Sequence, residues 1–336
     1  MATILLTHAA DALANYYGAR ALAGLEALAE VRLNPLGREM DARELIEAAR
    51  ACEVIVSYRG TPGFTELFDN APDLVAFSRC AIDIRNVDVA AASRNGILVT
   101  QASAGFIASV SEWVLGAMID LGRGLTRSSQ AYHTGEVPPA AMGRQLHGAT
   151  VGVIGYGQIG RRLCDLCVAL GMRVLVSDPH ASVSNPSLRQ VDLATLLAES
   201  DYVVCLAIAS VSTENLLDAG AFARIKRGAY FVNASRGNLV DEAALVDALD
   251  RGIVAGCALD VGRAPDQMPT PAVARHPRVI ATPHVAGLTP QSIEHQSLET
   301  VTQVAEILEG RAPKGAVNAV DATRLARLRS GGLGAK

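Results

Sequence analysis

From Thr150 to Ala169 the chain reads "TVGVIGYGQIGRRLCDLCVA": an apolar, β-branched run, then Gly155, Gly157 and Gly160 spaced G-x-G-x-x-G, then a helical pattern opened by Gln158 and Ile159. The spacing alone says little; its context says much more. A strand must precede the glycines and a helix must follow. An acid is expected near the end of the next strand, and Asp178 closes "MRVLVSD" eighteen residues after Gly160. Gly155 would allow the tight turn, Gly157 the approach of a pyrophosphate to the backbone, and Gly160 the close packing of helix on strand. The free N–H groups of the helix N-terminus suit that pyrophosphate. Asp178 can accept from both ribose hydroxyls and its charge repels a 2′-phosphate, so NAD is expected over NADP.

The loop stands near the middle of 336 residues. One hydrophobic core stops growing near 250–300 residues, so two domains are expected. Half of the residues are apolar, only 4% are aromatic, and the formal net charge is −4. The first two suit buried parallel strands with closely packed helices. The last gives no general electrostatic reason to bind nucleic acid or an anionic membrane. No run reaches 18 apolar residues and the N-terminus lacks a basic, apolar leader, so a cytoplasmic protein without a secretory signal is expected. The six cysteines are scattered in apolar runs. Cys164 and Cys167 form a C-x-x-C on one face of the helix after the glycines, with no second Cys or His pair nearby. Core packing is the expected role, and no metal site is expected.

The first hundred residues alternate between strand and helix patterns: "ATILLTH", "ALANYYGARALAGLEALA", "EVRLN", "DARELIEAAR", "CEVIVSY", "DLVAFSRC" and "GILVTQ". They predict a parallel α/β domain without a phosphate loop. An apolar helix pattern over Ser109 to about Arg127 carries Trp113; it is read as bridging two domains or packing on a second subunit. A second alternating unit runs from "TVGVIG" to "RVIATPH", followed by a helix ending near Gly310. The basic, Gly-rich tail "RLARLRSGGLGAK" is expected to be mobile.

Strand C-termini are where open α/β sheets bind ligands. Arg236 in "VNASRG" and His284 in "TPHVAG" both fall there. A guanidinium that grips a carboxylate and an imidazole that exchanges a hydroxyl proton are the minimum for reducing a 2-keto acid. A second reading stays open for each: an ion pair of Arg236 with Asp241 or Glu242, and a strand-end His284 bonded to backbone.

The stretches "LHGATVGVIGYGQIGRRL", "VNASRGNLVDEAALVDAL", "GCALDV", "TPHVAG", "NVDVAAASRNGILVTQ", "SVSEWVLGAMI" and "AVNAV" resemble the D-isomer-specific 2-hydroxyacid dehydrogenases along nearly the whole chain. The resemblance implies an α/β, two-domain fold: a Rossmann NAD-binding domain, residues 101–286, inserted in a flavodoxin-like substrate domain, residues 1–100 plus 287–336, with the active site in the cleft between. It implies an NAD-dependent interconversion of a small D-2-hydroxy acid and its 2-keto acid. Arg236 would bind and polarise the substrate, and His284 would be the general acid/base. Asp260 would accept from the nicotinamide carboxamide, Ala234 and Ser235 would line the nicotinamide, and the protein would work as a homodimer.

The chain also departs from that family. The usual D-V-F-x-x-E-P, whose glutamate pairs with the histidine, reads "DVGRAPDQMPTP" here, with Pro265 at the glutamate position. Asp266, one residue on, is the candidate replacement if the loop aims it at His284. The substrate loop R-x-G-x-G-x-D-N reads "RCAIDIRN", and "VSYRGTPG" ends another strand. Arg59, Gly60 and Arg85 are therefore substrate-binding candidates, and the arginines would suit an acid with a second anionic group. The open alternative is that both arginines form surface ion pairs. "CLAIAS" replaces L-H-x-P and puts apolar Leu206 and Ile208 at the cofactor wall. Pro265 also keeps open an NAD-binding regulatory or scaffold protein with lost turnover.

Overall fold

Most strand runs named above are apolar, as strands buried on both faces of a parallel sheet must be; Glu30–Leu33 is an exception, with no buried residue. The computed structural model describes residues 2–329 and divides into two compact units. The first takes the chain up to Gly105 and again from Pro290; the second is Phe106–Thr289.

Unit 1 begins β1 (Thr3–Leu6), α1 (Ala10–Tyr16), α2 (Ala19–Glu26), β2 (Glu30–Leu33), α3 (Ala42–Ala48) and β3 (Val54–Ser57). It continues α4 (Thr65–Asn70), β4 (Ala76–Arg79), α5 (Val89–Arg94) and β5 (Leu98–Gln101). All strand pairs are parallel, in the order β2-β1-β3-β4-β5. This is the flavodoxin-like order, in which the direction of winding reverses between β1 and β3. Asp41 starts α3 with a reciprocal capping box to Glu44. The pattern over residues 12–29 predicts one helix; the chain instead breaks at Tyr17 and Gly18 into α1 and α2.

Unit 2 opens with α6 (Ile107–Arg123) and α7 (Leu125–His133). The single helix expected to about Arg127 ends at Gly124, whose φ of +64° starts a new helix in another direction. The apolar face of α6 is buried within its own unit, where Val114 and Met118 join the core of Val151 and Val153. Then come β6 (Thr150–Ile154), α8 (Gln158–Ala169), β7 (Arg173–Ser177), β8 (Leu188–Gln190), α9 (Leu193–Glu199), β9 (Tyr202–Cys205), α10 (Ala219–Arg224), β10 (Ala229–Asn233), α11 (Glu242–Asp250), β11 (Val254–Leu259), α12 (Pro271–Ala274) and β12 (Val279–Ala281). The seven parallel strands run β12-β11-β10-β9-β6-β7-β8. With β6 as the first strand, this is the doubly wound dinucleotide order with one strand added, and its reversal lies between β6 and β9. Cys164 and Cys167 are wholly buried in the core on α8, and burial pushes both thiols up to about 12. They are packing residues, not a redox pair.

The chain then returns to unit 1 as α13 (Pro290–Leu308) and α14 (Ala326–Arg329). Gln303 on α13 is buried; its Nε2 donates to the Gln101 and Lys314 carbonyls, and its Oε1 accepts from Ser78 and Thr100. Asn318 extends the β5 edge: it accepts from Val99 N–H and donates to the Ile97 carbonyl. The expected mobility of the tail fails for its first half. Leu325 is buried and Arg324 donates to the Ala71 and Leu74 carbonyls. Residues 330–336 lie outside the described residues.

Candidate active site

The loop after β6 fits a dinucleotide for steric reasons visible at each glycine. Gly155 has φ +98°, and a Cβ there would stand 2.6 Å from the Leu206 carbonyl oxygen after β9. A Cβ on Gly160 would stand 2.2 Å from the Gly155 carbonyl. Both positions exclude any side chain. Gly157 differs: a Cβ would meet nothing within 4 Å, so the glycine leaves open space at the start of α8. No side chain caps that helix, and its first N–H groups remain available to an anion. Gln158 and Ile159 form its first turn.

Asp178, at the end of β7, accepts from Tyr156 N–H at 2.7 Å and His180 N–H at 2.8 Å. Burial pushes its carboxyl up, but these N–H groups and that of Ala181 outweigh it and hold the group below the usual carboxylate range. Asp178 is thus an anion fixed beside the glycine turn. Ile208, after β9, is 84% exposed and presents an apolar wall at this edge.

The other candidates of unit 2 collect at the ends of three adjoining strands. Asn233 ends β10, and its side chain accepts from Ser235 N–H and donates to the Arg236 carbonyl. It thereby shapes the turn that carries Ala234, Ser235 and Arg236. Ser235 Oγ donates to the Ala207 carbonyl, and Arg236 Nη1 donates to the Ser235 carbonyl at 2.7 Å. Asp241 caps α11, and Glu242 accepts from Thr270 Oγ1 and Arg263 N–H.

Asp260 follows β11 and is only 2% exposed. Its carboxylate accepts from Thr282 Oγ1 at 2.6 Å, Val285 N–H at 2.8 Å and Ala286 N–H at 2.8 Å. Three donors from 282–286 converge on one buried charge, and at its centre is His284, with φ +55°. Such a conformation is costly for a non-glycine residue and persists only where its surroundings impose it. A carboxylate offers about four acceptor sites, so Asp260 keeps about one for a further donor.

His284 Nδ1 stands 2.7 Å from the Asp266 main-chain carbonyl oxygen. A carbonyl only accepts, so Nδ1 carries the proton and Nε2 is left with its lone pair. The sequence points to the Asp266 side chain for this task; the main chain of the same residue performs it. The loop owes its path to two successive left-handed residues, Asp266 at φ +54° and Gln267 at φ +59°. Three of the five non-glycine residues with positive φ among the described residues therefore lie in this one cluster.

In unit 1 the reversal between β1 and β3 gathers a second polar group. Arg79 ends β4 and is 2% exposed. Its guanidinium donates to the carbonyls of Tyr58 and Thr61 at 2.7 Å, Asp83 at 3.1 Å and Arg59, and to Asn86 Oδ1 at 2.8 Å. It ties together both loops named from the sequence, where it is the first residue of "RCAIDIRN" but is given no role. Arg59 lies over the Tyr16 ring at 4.8 Å. Gly60 is hemmed in by Glu39 and Tyr58. Arg85 is forked onto Asp83, the pair being largely exposed, which favours the surface ion-pair reading for it. His8, just after β1, is another residue the sequence leaves unmarked. It is 2% exposed and packs between Tyr17 and Tyr58, and neither ring nitrogen has a hydrogen-bond partner. Burial, then the Arg79 charge, lowers it to about 3.

The family model for the D-isomer specific 2-hydroxyacid dehydrogenase NAD-binding domain matches residues 115–286. The chain belongs to the D-isomer-specific 2-hydroxyacid dehydrogenases. It is 34% identical over 277 residues to the (S)-sulfolactate dehydrogenase of Chromohalobacter salexigens, across 81% of this chain and 90% of that one. It is 32% identical over 301 residues to the D-3-phosphoglycerate dehydrogenase of Archaeoglobus fulgidus, across 87% of this chain but only 57% of that longer protein. Among solved structures it is similar to the TT0316 protein of Thermus thermophilus, with a TM-score of 0.84, 26% identity, and 94% and 99% of the two chains covered. NAD is the cofactor of this dehydrogenase fold, and the relatives' names do not favour the regulatory or scaffold alternative. Among the described residues no cluster of His, Cys, Asp or Glu could hold a metal, and no helix is long and apolar enough to cross a membrane.

Two consequences can be measured on this dehydrogenase fold. Asp260→Asn would turn an amide N–H toward a backbone N–H; we expect a loss of about 2 kcal/mol, with faster hydrogen exchange at Val285 and Ala286. Unchanged exchange at both amides would contradict the role assigned to Asp260. His8 is neutral when folded and titrates near its ordinary value when unfolded. Between about pH 6.5 and 3 the unfolded chain therefore binds the extra proton, and stability falls with falling pH. The slope from this one group approaches ~1.4 kcal/mol per pH unit. His8→Phe is expected to flatten the stability profile of unit 1 over that window; denaturation from pH 7 to 4 measures it.

Proposed function

We propose that the protein is an NAD-dependent oxidoreductase that interconverts a small D-2-hydroxy acid and its 2-keto acid. The observation that carries this reading is the His284 ring, with Nδ1 committed to the Asp266 carbonyl and Nε2 left for a substrate hydroxyl. In this reading Arg236 holds the substrate carboxylate through two parallel N–H···O bonds and draws charge from the adjacent carbonyl. His284 Nε2 takes the hydroxyl proton on oxidation and returns it on reduction. Bound NAD would accept the hydride on oxidation, and NADH would supply it on reduction. Gly155, Gly157, Gln158, Ile159 and Gly160 would hold its pyrophosphate and Asp178 its ribose, while Ala234, Ser235 and the remaining acceptor site of Asp260 would face the nicotinamide.

Unit 1 would be the substrate domain and unit 2 the cofactor domain. Arg59 and Gly60, at the strand edge of unit 1, are proposed substrate contacts, with Arg85 held in reserve by Asp83. A substrate with a second anionic group is the favoured class, because the similar proteins from Archaeoglobus and Chromohalobacter are named for phosphoglycerate and sulfolactate. We also propose a homodimer. Its support is the segment between α7 and β6, where Val137 is 81% exposed and Met142 fully exposed. A reducing, cytoplasmic setting fits six free, buried cysteines.

A panel of 2-keto acids with NADH, followed at the nicotinamide absorbance, tests the central proposal. Turnover is expected on at least one member, with a phosphorylated or sulfonated acid ahead of its plain analogue. His284→Ala is expected to lower kcat by about 10²–10⁴-fold, and Arg236→Ala to raise KM as well as lower kcat. Tight NADH binding without turnover on the whole panel would overturn the proposal. Separately, Asp178→Ser removes the charge that opposes a 2′-phosphate, so the ratio of NADH to NADPH efficiency is expected to fall. A wild-type preference for NADPH would refute the role given to Asp178.

A further inference from the structure

The opposite edge of the unit 2 sheet carries a pocket that the proposed chemistry does not use. Its volume is about 370 Å³, and it opens where β6, β9 and β10 begin, among Ala149, Tyr202 and Ala229. The cofactor residues stand at the other ends of these strands. Five residues of strand at about 3.3 Å each put roughly 16 Å between the two edges.

The charge lining the pocket is unbalanced. Arg144, Lys226 and Arg227 face a single acid, Asp201. Lys226 Nζ pairs with Asp201 at 2.7 Å, and Asp201 also accepts from Thr150 N–H. That acid is therefore satisfied, and two guanidiniums remain over. Each is held from behind by a main-chain carbonyl. Arg144 Nη1 donates to Gly228 at 2.9 Å and its plane lies over the Tyr230 ring, with Cζ 5.5 Å from the centroid. Arg227 Nη2 donates to Arg251 at 3.0 Å. A guanidinium has five N–H donors in a fixed fork, so each keeps several for a ligand while its position is already set. Tyr202, wholly buried, forms part of the wall beneath them.

We propose that this pocket binds the phosphate group of a small molecule, with Arg144 and Arg227 as its paired donors. Two charged forks match the geometry and charge of a phosphate. The volume exceeds what a bare ion needs, since one water occupies about 30 Å³ of liquid, and it accommodates a monoester of sugar-phosphate size. The site lies on the cofactor domain but away from the cofactor edge, so it is a second anion site on the same sheet.

Calorimetric titration of the NADH-saturated protein tests this, because NADH then occupies the glycine loop and phosphate cannot register there. The probes are inorganic phosphate, ribose 5-phosphate and ribose. Saturable binding of both phosphates with no heat from ribose is expected. Tighter binding of ribose 5-phosphate would identify a monoester as the ligand class, and equal binding would identify free phosphate. Arg144→Ala and Arg227→Ala alter exposed side chains and should leave NADH affinity unchanged, which reports that each variant is folded. Each is expected to weaken both phosphates by about tenfold or more. Absence of saturable binding by either phosphate, or equal binding by wild type and both variants, would overturn the assignment.

Discussion

The buried carboxylate of Asp260 is the interaction on which the proposed chemistry rests. A lone carboxylate in a protein interior is costly unless donors surround it. Here the donors all come from the segment whose geometry the proposed reaction needs: Thr282, Val285 and Ala286. The cost of burying the charge and the strain of a left-handed His284 are met by one set of bonds. Neither feature would persist alone. Without the charge, the three donors would have no common target. Without the left-handed histidine, the backbone could not turn both following N–H groups onto one side chain.

In both units the loops at the reversal of strand order are specially built, while Arg236, Asp260 and His284 of unit 2 follow β10, β11 and β12. At the reversal in unit 2, Gly155 and the Leu206 carbonyl come too close for any side chain. In unit 1 the reversal is closed by Arg79 instead, which binds four main-chain carbonyls and an amide. Burial lowers its guanidinium only to about 10, so it stays charged at neutral pH. The same strand-end geometry thus yields an open backbone cradle in one unit and a filled, charged one in the other. The first suits a ligand that arrives with its own negative charge. The second fixes loops so that the side chains on them, Arg59 among them, have defined positions.

Much of this is legible in the sequence because periodicity and spacing reflect short-range physics. Apolar runs of four to six residues mark the long strands of both sheets, and the glycine spacing marks the turn after β6. β8, with one buried residue in three, carries no such signal. The helix end at Gly124 is hidden as well, because Leu125 follows the glycine directly and no proline or polar cap marks the break. At the site, Arg236, Asp260 and His284 are readable from their strand-end positions and the resemblance. His8 and Arg79 are not. Their importance comes from burial and from partners on other loops, Tyr58 for His8 and the Tyr58 and Thr61 carbonyls for Arg79, and no local pattern encodes that.

Residue 266 shows where side-chain reasoning stops. Pro265 takes the first position of a short 3₁₀ turn, a place where its missing N–H costs nothing. The two left-handed residues, Asp266 and Gln267, then swing the Asp266 carbonyl onto His284. A carbonyl and a carboxylate fix the same tautomer, because each accepts from Nδ1–H. They differ in charge: the carbonyl is only a dipole, and it stabilises an imidazolium less than an anion at the same distance would. The loop therefore separates two tasks that one glutamate combines in the usual family pattern, orienting the ring and supporting its positive charge. Orientation has passed to the backbone, where it depends on the path of 262–268 and no longer on the identity of any one acid. Proline at the glutamate position is thus compatible with an oriented histidine, and it does not by itself argue against turnover.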